Sequence, residues 1–147
     1  MTMLALATEV SDSAGFTDTE VTIAKTRTFN LPDNHLIEVT ACWRGMFSSK
    51  APDMVTLSIT DEDGTHKQEQ SHRIGTTGTG QAGGEMSRVL KVSADIEGDI
   101  SPGRNRFELR AVRVGSTSKG TIVIQADFEY PIEIRVEDLG IIPNHEL

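Results

Sequence analysis

Ile122-Val-Ile-Gln-Ala-Asp-Phe-Glu-Tyr-Pro-Ile-Glu-Ile-Arg-Val136 is the stretch whose period decides the fold class. Ile122, Ile124, Ala126, Phe128 and Tyr130 fall on one face of an extended chain. After Pro131 the alternation resumes with Ile132, Ile134 and Val136. Apolar residues at every second position, with polar ones between, mark half-buried β-strand.

Upstream the same period recurs. Ile37, Val39, Ala41, Trp43 and Phe47 form an inward set against Glu38, Thr40 and Arg44. Val55, Leu57 and Ile59 alternate with Thr56, Ser58 and Thr60 before the turn Asp61-Glu-Asp-Gly64. Phe107, Leu109 and Ala111 alternate with Arg106, Glu108 and Arg110. The parity then slips at Val112 and Val114, which predicts a β-bulge. Turn-formers separate the runs at Ser48-Ser-Lys-Ala-Pro-Asp53, Ser101-Pro-Gly-Arg-Asn105 and Gly115-Ser-Thr-Ser-Lys-Gly120. Short strands at this spacing predict a single-domain, all-β antiparallel sandwich or barrel rather than βαβ units.

Residues 16–31 fit one or two further strands, with Val21, Ile23, Phe29 and Leu31 pointing inward. Residues 65–74 are polar enough for an edge strand or a loop. Residues 85–96 allow a strand (Met86, Leu90, Val92, Ala94, Ile96) or a short helix (Met86, Val89, Leu90), and the Pro-Gly turn downstream favours the strand. The domain expected is 16–140, between an extended N-terminal arm (1–15) and a C-terminal tail (141–147).

The chain has 147 residues and a formal charge of −8, with 14 Lys+Arg against 22 Asp+Glu. This balance argues against nucleic acid or an anionic membrane as partner, because both reward a basic face. No run approaches the length of a membrane span, so no membrane insertion is expected. The start lacks the basic n-region of a signal peptide, and synthesis in a reducing cytoplasm is expected. A single cysteine, Cys42, leaves no intramolecular disulfide or multi-cysteine zinc site.

Few motifs carry chemistry. Gly78-Thr-Gly80-Gln-Ala-Gly83 spells a dinucleotide-binding pattern, which needs a buried strand before it and a helix after it. Neither is expected here, and residues 75–84 read as a polar surface loop. Asp61-Glu-Asp63-Gly64 starts like a calcium loop, but His66 and His72 stand where Gly and Glu are required. Those two histidines are an even number of residues apart, and a strand would place them on one face without a third ligand. His35 falls in a turn and His145 in the tail. Cys42, on the polar parity of its strand, reads as an ordinary thiol. No catalytic residues, metal site or cofactor are expected. Trp43, Phe47, Phe107, Phe128 and Tyr130 all take core parity, which leaves no stacking platform for a glycan and confines such binding to polar loops.

The ending Ile132-Glu-Ile-Arg-Val-Glu-Asp-Leu-Gly140 resembles small virion proteins of tailed bacteriophages infecting actinobacteria. The resemblance extends over residues 21–140. It takes in Ser101-Pro-Gly103 leading to Phe107-Glu-Leu-Arg-Ala111, the Ser/Lys/Pro/Asp loop before Val55-Thr-Leu-Ser-Ile59, and the 115–120 hairpin. Its most specific motif is Val136-Glu-Asp-Leu-Gly140. The proline that usually comes after this glycine is displaced to Pro143. The resemblance implies a jelly-roll-like sandwich in the virion, serving as a capsid-decorating, minor tail or fibre subunit. Such subunits self-associate, often as homotrimers, and meet other virion proteins through terminal arms. A host-surface glycan is the alternative partner.

Charge is unevenly placed. Arg104, Arg106, Arg110, Arg113 and Lys119 face only Glu108, whereas Asp127, Glu129, Glu133, Glu137, Asp138 and Glu146 face only Arg135. Two readings are open: cross-strand pairing on one solvent face, or a basic strand of one subunit meeting the acidic terminal strand of the next. On the second reading Arg104, Arg106, Arg110, Arg113, Asp127, Glu129, Glu137 and Asp138 form the assembly interface.

Overall fold

The computed structural model describes residues 2–50, 52–75, 83–115 and 120–143. Twelve strands form among them: β1 (Thr2–Glu9), β2 (Val21–Lys25), β3 (Phe29–Leu31), β4 (His35–Trp43), β5 (Gly45–Ser48), β6 (Asp53–Thr60), β7 (His66–Ile74), β8 (Gly84–Val92), β9 (Gly103–Asn105), β10 (Glu108–Arg113), β11 (Ile122–Gln125) and β12 (Ile132–Ile141). Two four-stranded antiparallel sheets make the body, ordered β1-β12-β4-β8 and β2-β10-β6-β7. The pairs β11-β5 and β3-β9 form two further, two-stranded sheets. Counting only the eight strands of the two main sheets, the first sheet runs first-eighth-third-sixth and the second runs second-seventh-fourth-fifth. That is the doubled Greek key of a jelly roll.

The apolar parities build the core. Ile37, Val39 and Ala41 from β4, Val55, Leu57 and Ile59 from β6, Leu109 and Ala111 from β10, and Ile132, Ile134 and Val136 from β12 are all fully buried. The polar segment 65–74 is the edge strand β7, and the ambiguous segment after Glu85 is the strand β8. Trp43 closes one end of the core, edge-on to His72 with centroids 5.2 Å apart. It requires Gly84 opposite it, since a Cβ there would lie 2.6 Å from the indole ring.

Several expectations fail, each for a local reason. The N-terminal segment is no loose arm: β1 pairs with β12 from Thr2↔Asp138 to Glu9↔Ile132, with a bulge between Met3 and Ala5. Its run Met3-Leu-Ala-Leu-Ala7 is apolar at every position, so no alternation marks it as a strand. No slip occurs after Ala111, as β10 pairs with β6 without a break. Arg113 instead takes the inward position, buried against Asp53 (Nε–Oδ1 3.0 Å). Arg113 also donates to the Gly120 carbonyl. A buried guanidinium beside a buried carboxylate substitutes for the apolar residue that periodicity demands there. Parity flips after Arg44 as well, so Met46 is buried and Phe47 only partly. β8 stops at Val92, and Ile96 is fully exposed in the turn beyond it.

The largest departure lies after Gln125. β11 ends there, and residues 127–130 form a turn held by Asp127, whose Oδ1 accepts the Glu129 and Tyr130 amides at 3.0 and 2.8 Å. An aspartate capping its own turn, with a proline after it, overrides the alternation. Phe128 is 86% exposed and Tyr130 58% exposed, not core.

Candidate functional site

The eight residues expected at an assembly interface do not come together. Arg110 and Arg113 belong to the second sheet, with Arg106 just before β10, whereas Glu137 and Asp138 lie on β12 in the first. Each group finds other partners. Arg106 and Arg110 both reach Glu108, at 3.2 and 3.3 Å, and Arg110 also reaches Glu20 at 3.2 Å. Arg113 adds Asp18 to Asp53. Asp127 binds Arg44 at 3.1 Å, Glu137 binds Arg135 at 3.0 Å, and Asp138 binds His35 at 2.8 Å. Arg104 is exposed on β9, and Glu129 is exposed in the 127–130 turn. Pairing between the basic and acidic groups on one sheet is therefore replaced by separate networks on two sheets. Lys119, Glu146 and His145 lie outside the described residues.

The outer face of the second sheet is a connected network. Glu108 is almost fully buried beneath Arg106 and Arg110 and also accepts from Thr22 at 2.8 Å. Burial works to raise its pKa, but these hydrogen bonds and the Arg110 charge outweigh it and hold the carboxyl below its ordinary range. Glu20 links Arg110 to His66, which also bonds Glu69. Desolvation pushes the His66 pKa down, and the two glutamates raise it by more, leaving it above the ordinary value.

The outer face of the first sheet is more acidic. Its register aligns Glu133 with Cys42 and Glu85, and Glu137 with Glu38. Arg135 is held on its own strand between Glu133 and Glu137. Burial raises the Cys42 pKa, and Glu133 and Glu85 push it the same way. The thiol is thus kept protonated, the opposite of an activated nucleophile.

His66 and His72 point to opposite faces, because a register shift between Ile59 and Thr60 flips the strand between them. Asp61-Glu-Asp-Gly64 closes the β6–β7 hairpin, with Asp61 Oδ1 accepting the Thr65 amide at 2.9 Å and Gly64 at φ 81°. The glycine pattern at 78–83 falls mostly outside the described residues, and it leads into the strand β8, not a helix. Among the described residues, no group of three His, Cys, Asp or Glu side chains is arranged to hold a metal ion. No helix there is long and apolar enough to cross a membrane.

Two features escaped the sequence patterns. One is an apolar band along a sheet edge: Met3, Leu6 and Val10 on or beside β1, with Leu139 and Ile141 at the end of β12, all exposed. The other is the aromatic turn. There the Arg44 guanidinium lies 5.9 Å from the centre of the Tyr130 ring, beside a cavity of about 290 Å³ bounded by Trp43, Glu129 and Glu133. Asp127 with Pro131 shortly after it was the available signal for the turn. Nothing in the sequence marked the edge.

No protein-family model and no curated protein matches the chain. Among solved structures, the enzymatically active domain of tailspike protein 4 from bacteriophage CBA120 aligns at 9% identity, with a TM-score of 0.32. The alignment covers 83% of this chain and 15% of that one.

Proposed function

We propose that this protein is a non-enzymatic structural or accessory subunit of a tailed-phage particle, a capsid decoration or minor tail or fibre piece, working through protein–protein assembly. The observation that carries the assembly reading is the set of exposed apolar residues Met3, Leu6 and Val10 along the β1 edge of the first sheet, with Leu139 and Ile141 exposed at the end of the adjacent β12. Exposed apolar residues gathered in one place mark a contact surface, whereas scattered ones do not. The Val136-Glu-Asp-Leu-Gly140 ending supports the phage setting. Size-exclusion with light scattering, together with mass spectrometry of purified particles, tests the reading. A protein that is monomeric at every concentration and absent from particles would sink it.

A second reading is binding of a host-surface glycan, favoured by the aromatic turn. Phe128 and Tyr130 offer ring faces to a sugar, and Arg44, Glu129 and Glu133 offer donors and acceptors for its hydroxyls. A glycan array with the native protein and a Phe128→Ala, Tyr130→Ala variant decides it. Signal that is lost in the variant supports the reading, and equal signal or none in both removes it.

A further inference from the structure

We infer that the partner at the β1 edge is a second copy of this chain, added antiparallel through β1 about a two-fold axis. The two first sheets would then join as one continuous eight-stranded sheet. This inference rests on the assembly reading above and specifies its first contact.

The argument starts from what an edge strand must avoid. An unpaired edge presents a row of backbone donors and acceptors, and proteins guard such edges with charges, prolines or a covering element. The edges here differ sharply. β8, at the far side of the same sheet, carries Glu85, Arg88 and Lys91. It is also fastened to its neighbour β7, as Arg88 Nη1 donates to the Lys67 carbonyl at 2.8 Å. β7 carries His66, Lys67, Glu69, His72 and Arg73, and β2 is five residues long and ends in Lys25. β1 is eight residues, Thr-Met-Leu-Ala-Leu-Ala-Thr-Glu, without Pro or Gly and without a charge before Glu9. Its ladder partner is β12 on one side only. Arg27 Nη2 reaches the Leu4 carbonyl at 3.5 Å, at the bulge and outside residues 5–8.

Charge points to a copy rather than to a strongly charged partner. A chain of net charge −8 repels itself over most of its surface. Residues 2–8 of the β1 edge carry no carboxylate, so two copies can approach there with no carboxylate directly opposite another. Side-chain parity then selects the register. Ala5 and Ala7 face inward opposite Val136 and Ile134, while Leu6 faces outward opposite Arg135. A two-fold axis at Leu6 sets Leu6 beside the partner subunit's Leu6 and Ala5 beside the partner subunit's Ala7, apolar against apolar on both faces. Sliding by two residues one way would set Leu6 against a threonine and Ala5 against a glutamate, and sliding the other way would run the ladder into the bulge at Leu4, whose carbonyl Arg27 already occupies. A trimer closed through this edge would need β1 to meet a different edge of the next copy, and those edges are charged and fastened at β8, charged at β7 and only five residues long at β2.

Sedimentation velocity of the full chain across a dilution series tests the inference. The native protein should show a species of twice the monomer mass. Leu6→Lys, at a side chain already half exposed, should weaken dimerisation roughly tenfold or more by placing two like charges side by side in the seam. A Leu6→Cys, Cys42→Ser variant should form a disulfide-linked dimer under mild oxidation, because antiparallel neighbours bring Cα atoms within disulfide range, about 4.5–5.5 Å. Self-association unchanged by Leu6→Lys, or a dominant trimer, would overturn the β1 contact while leaving the assembly reading in place. A native protein that never self-associates overturns the β1 contact, and its absence from particles overturns the assembly reading too.

Discussion

The same three letters, Glu-x-Arg, occur on the central strands of both sheets and are used in different ways. In β10, Glu108 and Arg110 tie together four segments: Glu108 binds Thr22 and Arg106, and Arg110 binds Glu20, which reaches His66. In β12, Glu133, Arg135 and Glu137 bond along one strand and leave Glu38 and Glu85 across the sheet without that arginine. What separates them is burial. The Glu108 side chain is 4% exposed, whereas Glu133 and Glu137 are 24% and 18% exposed. A buried carboxylate must collect every available donor, whereas a solvated one settles for local partners. Motif identity therefore says little about cohesion, and depth in the sheet decides it.

The contrast is tested most severely one turn of the pleat further along β10, at Arg113. Arg113→Met strands Asp53 in the core, with only Ser48 left as a side-chain partner, and should cost about 3–5 kcal/mol in urea unfolding. A loss below about 1 kcal/mol would mean that Asp53 is solvated in the native state. Next in size is Glu108→Gln, which weakens three charge-assisted or hydroxyl bonds at once and should cost about 2 kcal/mol. Arg135→Gln on the opposite face should cost no more than about 1 kcal/mol. Equal losses for Glu108→Gln and Arg135→Gln would erase the distinction between the faces.

The smallest effects come from pH. Glu108 has a lowered folded pKa, so its contribution is present above the ordinary glutamate range and disappears as the pH falls through the folded value. Acid unfolding should therefore begin later in Glu108→Gln than its neutral-pH stability implies. His66 has a raised folded pKa, so its contribution is complete below about 6.5 and fades as the pH rises through the folded value. Native protein should lose slightly more stability than His66→Gln between mildly acidic and mildly alkaline pH. A steeper loss in the variant would refute the Glu20–His66–Glu69 assignment.

The sandwich was legible because most inward positions are aliphatic at strict alternation, as in β4, β6 and β10. Where the pattern misled, a polar side chain was doing something that composition cannot express. Asp127 turned a strand into a turn, and Arg113 filled a core site with charge because Asp53 awaited it from β6. The β1 edge was hidden for another reason. Its run of Met, Leu and Ala has no polar face to alternate against, and its value as a surface depends on β12, which lies far along the chain. The expected pairing of the two charge clusters on one solvent face failed because linear clustering says nothing of which sheet each cluster joins.

The pairing of β1 with β12 also sets the order of events during synthesis. Ala5 leaves the ribosome well before Val136, its neighbour in the finished sheet, and must wait for it. Until then β4 lacks its β12 partner as well, and the first sheet has no centre. Pairings this distant in sequence belong to slow-folding topologies, with rates in the millisecond-to-second range. Through that interval the uncharged residues 2–8 of β1 are the stretch most open to capture by another nascent chain. The same residues that suit a finished edge contact would then make yield sensitive to expression rate.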